Sequence, residues 1–195
     1  LALFTGILIF GFFSESLSRA PSLVLAHRGW VKRVVFPLHV LSCVSVLSAL
    51  FYSLIGLGIL ALGQLATLGT LHLTWLLFPL LVLLPMVLLN LGLSWAVSAV
   101  GTYIPDVEPL VNLGLTLLTF MTPVFYPLSA VPEPYQMLMR VNPLTYFLES
   151  SRSLLLWGSL PDLSESLLFI GLSVALAALG FSIFKRARYG FGDVL

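Results

Sequence analysis

The sequence predicts an all-α fold, a polytopic bundle of transmembrane helices. Hydrophobic residues make up 59% of the 195 residues and charged residues only 9%, and the mean hydropathy is +1.08. A soluble domain of this size needs far more polar surface to cover its core. In addition, no Lys or Arg lies between Arg33 and Arg140, and no carboxylate lies between Glu15 and Asp106. Uncharged stretches of this length predict membrane spans joined by short turns.

Five spans are predicted, and each complete one reaches the roughly 20 residues that cross a hydrocarbon core. In chain order they run from Leu1 to Phe13, Val34 to Gly63, Leu73 to Val100, Val107 to Tyr126 and Ser164 to Phe184. Pro79 and Pro85 predict a kink in the third span. The first run starts abruptly, so we expect an N-terminal part of the protein to precede it.

The basic residues predict the orientation of the bundle. Four of them lie between the first two spans and three follow the last one: Arg19, Arg28, Lys32, Arg33, Lys185, Arg186 and Arg188. Both segments belong in the cytoplasm by the positive-inside rule. Alternation then places the turn 64–72 outside, the turn 101–109 inside and the Pro-rich segment after Tyr126 outside.

The polar residues exclude several functions. Neither His39 nor His72 has a second ligand at metal-binding spacing, and Cys43 is the only cysteine, so we predict no metal site. The predicted spans contain no Asp, Glu, Lys or Arg at mid-depth, which excludes a catalytic cluster or proton relay there. The chain has no phosphate-binding loop, so any ATP hydrolysis belongs to another polypeptide. A net charge of +1 gives no reason to expect nucleic-acid binding.

Residues 14–33 form the better candidate for a structured cytoplasmic segment. Pro21 and Ser22 predict a helix start, the run from Leu23 to Arg28 supplies about one and a half turns, and Gly29 is a suitable C-terminal cap. Such a short helix with apolar and basic faces suits docking to a soluble partner. It suits equally well a position on anionic lipid headgroups.

Residues 127–162 predict two short helices outside the membrane. The first follows Pro134 and ends before Asn142-Pro143, because a residue before proline avoids the helical region. In the second, Asn142 is the N-cap, Pro143 the first helical residue and Gly158 the C-terminal stop. Both are too short to span, so they lie in the interface or form a re-entrant hairpin. A static cover and a moving lid both fit this pattern.

The side-chain pattern of these two helices predicts amphipathic surfaces. In the first helix Tyr135, Leu138 and Met139 share one side. In the second, an apolar stripe of Leu144, Phe147, Leu148 and Leu155 opposes a polar side of Thr145, Glu149, Arg152 and Ser153. Glu149 and Arg152 are spaced for an i, i+3 ion pair on that polar side.

Three stretches together carry a family resemblance: "TPVFYPLSAVP", "NPLTYFLESSR" and the loop "FFSESLSRAPSLVLAHRGWVKRVVFPLH". With the final span and its basic tail, they resemble the membrane subunit of type-2 ABC exporters. The resemblance covers essentially the whole chain. It is most similar to the permeases that export O-antigen, capsule or teichoic-acid polymers. The alternatives are a type-2 exporter of drugs or lipids, and a structural membrane subunit without transport activity.

The resemblance implies one permease domain over residues 1–195, which has six spans in the full family subunit. It implies a homodimer in the bacterial cytoplasmic (inner) membrane, resting on two copies of an ABC ATPase that holds ATP and Mg²⁺, with no cofactor on this chain. The cargo is a lipid-linked glycan. Family members often have an aromatic-Arg-Asp sequence where this chain has Tyr103-Ile104-Pro105-Asp106, so the arginine is missing.

Site residues follow from the same resemblance. The ATPase-coupling helix comprises Ser22, Leu23, Val24, His27 and Arg28. The gate helices carry Tyr135, Leu138, Met139, Asn142, Pro143, Glu149 and Arg152. Aromatic rings stack on the C–H faces of sugars, which makes channel-lining candidates of Phe51, Tyr52, Trp95, Phe120, Phe125 and Tyr126. Ordinary packing is the competing role for each of these rings.

Overall fold

A computed structural model describes residues 1–27, 29 and 37–191, and these residues contain helices and turns without a strand. The α-helices are α1 (Ala2–Ser18), α2 (Leu23–Ala26), α3 (His39–Leu68), α4 (Leu84–Tyr103), α5 (Val107–Met121), α6 (Glu133–Val141), α7 (Pro143–Arg152) and α8 (Leu163–Ala187). Short 3₁₀ turns cover Leu73–Leu76, Leu128–Ala130 and Arg188–Gly190, and π-helical turns cover Pro79–Leu83 and Ser153–Trp157. The predicted all-α fold class is confirmed.

Within the part of the chain that the structure describes, three helical segments are long and apolar enough to cross a membrane: His39–Leu68, Pro79–Tyr103 and Leu163–Gly190. The helices α1 and α5 are apolar but shorter, at 17 and 15 residues. A 15-residue helix is about 22 Å long, which is less than a typical hydrocarbon core of about 30 Å. These lengths and compositions are those of a multi-pass membrane bundle.

The predicted end of the fourth span at Tyr126 is wrong. Helix α5 ends at Met121, and Thr122 adopts an extended backbone with φ −119° and ψ 138°. Thr122 precedes Pro123, and the proline ring disfavours a helical conformation of the residue before it. Phe125 and Tyr126 therefore lie in the turn after the helix instead of on its surface.

The second and third spans also differ in their limits from the predicted ones. Helix α3 continues five residues beyond Gly63 to Leu68, where Gly69 closes it with φ 71°. Its predicted start at Val34 lies outside the described residues. The third span begins with the π-helical turn Pro79–Leu83, which Pro85 follows at the second residue of α4. The two prolines thus flank an interruption of the α-helical hydrogen-bond ladder, as such residues commonly do.

Helices α4 and α8 cross in close contact at glycines. A Cβ atom on Gly180 would collide with the carbonyl oxygen of Gly92, and one on Gly92 would collide with the backbone of Leu176. Small residues allow two membrane helices to approach so closely that their backbones touch. By contrast, a Cβ on Gly171 would meet open space, so this glycine takes no part in the crossing.

Segments that are predicted to lie on the same side of the membrane meet at the same end of the bundle. At one end, the backbone of Pro21 lies against Gly101, and the Tyr103 hydroxyl donates a hydrogen bond to Ala187 O at 2.7 Å. At the opposite end, His72 Nε2 donates to Leu156 O at 3.1 Å and Trp75 Nε1 to Leu155 O at 2.9 Å. Predicted inner segments thus meet one another, and so do predicted outer segments. The two ends are called the inner end and the outer end after these predicted sides.

Candidate functional site at the outer end of the bundle

The junction of the two outer helices lies where the sequence predicts, although α6 begins at Glu133, before Pro134, and α7 passes into a π-helical turn after Arg152. Asn142 terminates α6 and caps α7, because its Oδ1 accepts a hydrogen bond from the Leu144 backbone N–H at 3.0 Å. Its Nδ2 donates to Thr122 Oγ1 at 2.8 Å. Pro143 is the first residue of α7, and Gly158, with φ 67°, ends the π-helical turn that follows. Asn142 therefore joins α7 to the end of α5.

The two helices have opposite environments. Helix α6, which contains Leu138, exposes Tyr135 and Met137, while Met139 is half-buried. Helix α7 is buried on nearly every side, including Thr145 and Arg152 on the side that was predicted to be polar. Of the two predicted positions, this burial argues against a helix in the outer interface and agrees with a re-entrant segment packed against the bundle. Helix α7 packs against α1 and α8 as part of the core, whereas α6 covers it from outside.

Arg152 shows why the polar side of α7 is buried. Its side chain is 1% exposed. Nη1 donates to Glu149 Oε1 at 2.7 Å, which confirms the predicted ion pair, and to Tyr126 O at 3.0 Å. Nη2 donates to Val124 O at 2.8 Å and Nε to Ala2 O at 3.3 Å. The guanidinium satisfies carbonyl groups from α1 and from the turn after α5, so it joins three segments.

Glu149 extends this network to the surface. Besides its bond to Arg152, Oε1 accepts a hydrogen bond from the Leu128 backbone N–H at 3.1 Å. The bond ties the 3₁₀ turn Leu128–Ala130 to α7. A neighbouring bond, from Gln136 Nε2 to Val131 O at 2.7 Å, ties the same turn to α6. The outer segment is thus held by a few polar contacts above a rigid helix.

Between these elements lies a cleft of about 560 Å³, which we call the outer cleft. Its walls come from the 3₁₀ turn, α6, α7 and the start of α8. It is lined by Leu128, Ser129, Gln136, Arg140, Thr145, Tyr146, Glu149, Ser150, Ser153, Leu160, Pro161, Asp162, Glu165 and Phe169. Polar and charged side chains predominate, which distinguishes the cleft from the apolar surface around it.

Asp162 has a defined charge state in this cleft. It is the N-cap of α8 and accepts hydrogen bonds from both Oγ and the backbone N–H of Ser164, each at 2.8 Å. The Ser164 side chain and then its backbone lower the pKa of the Asp162 carboxyl, since these bonds favour the charged form. Asp162 is therefore a carboxylate at neutral pH.

At the opposite end, α2 is shorter than predicted. It ends with His27 as its C-cap instead of Gly29, and Ser22 at the N-cap makes no capping bond through its side chain. His27 Nδ1 is 2.8 Å from Leu23 O. Arg28 lies outside the described residues. Val24 is buried, and packs with Leu38, Leu41, Ala99, Phe184 and Phe191. One turn of helix is thus anchored to the inner ends of the three long spans.

The channel-lining candidates are dispersed over the bundle. Phe51 and Tyr52 are exposed and in ring contact at 6.1 Å on α3, beside a shallow depression. Phe120 on α5 and Phe125 are also exposed, while Tyr126 is half-buried.

Trp95 has a packing role within the subunit. Its Nε1 donates to His39 O at 2.9 Å, and its ring contacts that of Phe181 at 5.1 Å. These contacts join α4 to α3 and α8. A channel role for Trp95, as for the other candidate rings, stays a prediction.

Sequence reasoning missed the burial of Arg152 and the glycine contact beneath it. A Cβ on Gly6 would collide with Val124 O and lie 2.7 Å from Arg152 Nη2. One signal was available, because Arg140 and Arg152 are the only basic residues between Arg33 and Lys185. Among the described residues, no group of three or more His, Cys, Asp or Glu side chains is placed to hold a metal.

The chain is similar to one known family and to several curated proteins. The family model described as "ABC-2 type transporter" matches residues 1–156. Two proteins of Klebsiella pneumoniae, each named O-antigen export system permease protein RfbA, are each 26% identical over 99% and 100% of this chain and 74% and 75% of their own length. A Myxococcus xanthus protein of the same name is 28% identical over 98% of this chain and 74% of its own.

Proposed function

Because the chain belongs to the ABC-2 type transporter family, we propose that it is the permease subunit of an ATP-driven exporter of lipid-linked polysaccharide. The cargo is a glycan of the O-antigen type, and the membrane is the cytoplasmic membrane. The observation that carries this proposal is the similarity to three O-antigen export permeases over almost the whole chain. The multi-pass bundle of apolar helices supports it.

The energy for export comes from a separate ABC ATPase. The chain has no phosphate-binding loop, so ATP and Mg²⁺ bind to the partner, two copies of which pair with a homodimer of this chain. The glycan passes between the two protomers. Exposed rings such as Phe51, Tyr52 and Phe120 are available on the protomer surface for stacking against sugars.

The cytoplasmic contacts support α2 as the element that receives the ATPase motion. Val24 is buried among side chains from α3, α4 and α8, and Pro21 lies against Gly101 in α4. A displacement of α2 is therefore transmitted to the inner ends of all three long spans, since packed side chains cannot move independently. Ala26 points away from this contact and is exposed, which makes it available to a partner.

The outer contacts support different roles for the two short helices, with α7 fixed and α6 moving. Helix α7 is fixed by Arg152, whereas α6 and the 3₁₀ turn are held by the bonds Leu128 N–H to Glu149 and Gln136 to Val131 O. Opening at this end therefore displaces α6 and the turn while α7 stays with the core. On this proposal α6 is the moving gate helix.

An aspartate substitution at Ala26 tests the coupling role. We expect Ala26→Asp to lower both ATPase co-purification and surface glycan by about tenfold or more, because a buried unpaired carboxylate opposes docking by at least about 1.4 kcal/mol. The variant is expected to insert and to keep its thermal stability, since Ala26 is exposed. Both quantities are measured in cells that contain the ATPase and synthesise the glycan.

Thr70→Asp is the control, because Thr70 is exposed at the opposite end of the bundle, in the turn after α3 and outside the gate. It is expected to retain ATPase binding and export. Unchanged export in cells that lack this chain altogether contradicts the proposed function. Equal ATPase binding by Ala26→Asp and the wild type contradicts the coupling role.

A further inference from the structure

The outer cleft contains a buried hydroxyl group without a partner. Thr145 is 2% exposed, and its Oγ1 has no hydrogen-bond partner among the described residues although it lines the cleft. Buried polar side chains are almost always hydrogen-bonded. Thr145 lies in the first turn of α7, which Asn142 caps with Leu144 as donor, so the cap leaves its hydroxyl free. The cleft wall therefore contains one unpaired polar group that a ligand in the cleft could satisfy.

The charges around Thr145 select against anions. The Glu149 carboxylate is neutralised by Arg152 at 2.7 Å. Of the remaining charged groups that line the cleft, Asp162 and Glu165 are acidic and Arg140 is basic. The cleft thus carries a small excess of negative charge, which repels phosphate and carboxylate groups of a ligand.

The same residues suit a neutral polyhydroxylated ligand. The carboxylates of Asp162 and Glu165 accept hydrogen bonds from hydroxyl groups, and Arg140 donates them. The Oε1 atom of Gln136 is a further acceptor, because the hydrogen bond to Val131 O uses only the Nε2 atom of this side chain. Phe169 is half-buried in the wall and stacks on Tyr146 at 4.4 Å, which provides a rigid apolar surface for sugar C–H groups.

We propose that the outer cleft binds a neutral sugar unit of the exported glycan on the outer side of the membrane. This inference rests on the proposed function and assigns the substrate a contact within one protomer. The cleft lies between the fixed helix α7 and the more exposed helix α6, so a bound sugar holds the outer segment in the conformation that forms the cleft. The glycan therefore has a site at the outer face in addition to its path through the membrane.

Cysteine protection in whole cells tests this site with the exporter intact. In a Cys43→Ala background, Ser129→Cys places a thiol in the cleft wall and Ala130→Cys places one on the neighbouring exposed residue outside it. Both are labelled with a membrane-impermeant maleimide, in cells that synthesise the glycan and in cells whose glycan synthesis is blocked. The ligand whose binding to the outer cleft is measured is thus the glycan that the cells synthesise.

We expect glycan synthesis to slow the labelling of Ser129→Cys by about fivefold at a local sugar concentration about four times Kd. The labelling of Ala130→Cys is expected to stay unchanged. Equal rates for Ser129→Cys with and without synthesis overturn the inference, as does equal slowing at both positions, which reports general crowding by the polymer. If export still depends on this chain in those cells, the proposed function survives either result.

Thr145→Val supplies the residue-level test, because valine has nearly the shape of threonine without the hydroxyl. Loss of one neutral hydrogen bond is expected to weaken glycan affinity about fivefold and so to remove most of the protection at Ser129→Cys. The thermal midpoint is expected to stay level or to rise, since the hydroxyl has no protein partner. Full protection in Thr145→Val, or a lowered midpoint that reports a structural role, overturns the assignment of Thr145.

Discussion

Arg152 connects three segments at the outer end of the bundle: α7, the start of α1 and the turn after α5. It is surrounded by carbonyl oxygens of Ala2, Val124 and Tyr126 and by the Glu149 carboxylate. A charged side chain this deeply buried is stable only when its hydrogen-bonding groups are all paired. The turn after α5 contributes two of these carbonyls because Pro123 and Pro127 keep it out of a helix. The irregular backbone and the buried arginine therefore satisfy each other.

Replacing Arg152 is expected to destabilise the protein strongly. In Arg152→Gln, the Glu149 carboxylate loses its positively charged partner, and several backbone carbonyl groups lose their hydrogen-bond donors. The free energy of unfolding is expected to fall by about 3 kcal/mol or more. The expected result is a lower thermal midpoint and less monodisperse protein in detergent, measured by fluorescence-detected size-exclusion chromatography after heating. Arg140→Gln is the control, because Arg140 is exposed, and its midpoint is expected to stay close to that of the wild type. Equal midpoints for the two variants contradict this role.

Asp162, the N-cap of α8, predicts that the stability of the folded protein depends on pH. Its pKa is lowered in the folded protein by hydrogen bonds from Ser164. Its stabilising effect is therefore complete above the unfolded pKa of about 3.9 and is lost as the pH falls through the lower folded-state pKa. We expect Asp162→Ala to lower the thermal midpoint at pH 7 and to have a smaller effect in strong acid. A difference between wild type and variant that stays constant over this range contradicts the prediction.

At the scale of helices, the bundle depends on the crossing of α4 with α8 and on the burial of α7. Gly92 and Gly180 let two long spans approach until their backbones touch. Helix α7 is enclosed by α1 and by the start of α8, where the Tyr146 hydroxyl donates to Ser166 Oγ at 2.8 Å. Neither contact tolerates added volume, because membrane helix interfaces are close-packed.

Two alanine substitutions on the same helix test the crossing. Gly180→Ala places a methyl group against Gly92 O, so the helices must separate, at a cost of about 1 to 3 kcal/mol. Gly171→Ala, nine residues earlier on α8, meets open space and is expected to have no measurable effect. Thermal midpoints of the purified variants distinguish the two. A Gly180→Ala protein as stable as Gly171→Ala shows that the crossing adjusts freely.

Across the whole bundle, the hydrogen bonds between segments distant in sequence are concentrated at the two ends. The inner end holds α2, the turn 101–109 and the tail, while the outer end holds the turn 69–78, α6, α7 and the outer cleft. Large exposed apolar side chains cover α3, α5 and α8 between the ends. That surface suits lipid, and it also suits a second copy of the chain.

Single cysteines report the orientation of the bundle. In a Cys43→Ala background, Thr70→Cys is expected to react with an impermeant maleimide in intact cells. Asp106→Cys is expected to react only after the cells are permeabilised. Both positions are exposed, so access to the side of the membrane, and not burial, sets the rate. The reverse pattern contradicts the orientation derived from the basic residues.

Elements with local causes could be predicted from the amino-acid sequence. Long uncharged runs require spans, Asn142-Pro143 and Gly158 set the limits of the outer helix and its final turn, and the spacing of Glu149 and Arg152 sets their ion pair. Each of these follows from hydropathy, backbone stereochemistry or helical periodicity within a few residues. For the same reason, the proline before which α5 stops was a readable signal that the predicted span to Tyr126 overlooked.

Which helix surfaces are buried could not be predicted in this way, because burial depends on tertiary contacts. The pattern of α7 reads as two-faced, yet its polar side faces carbonyl groups from α1 and the turn after α5, which are distant in sequence. In the same way, Thr145 acquires a cleft only because the 3₁₀ turn, α6 and α8 meet around it. Periodicity describes the side chains that one helix offers, whereas the partners that cover them depend on contacts between remote segments. Those contacts are absent from any local stretch of sequence.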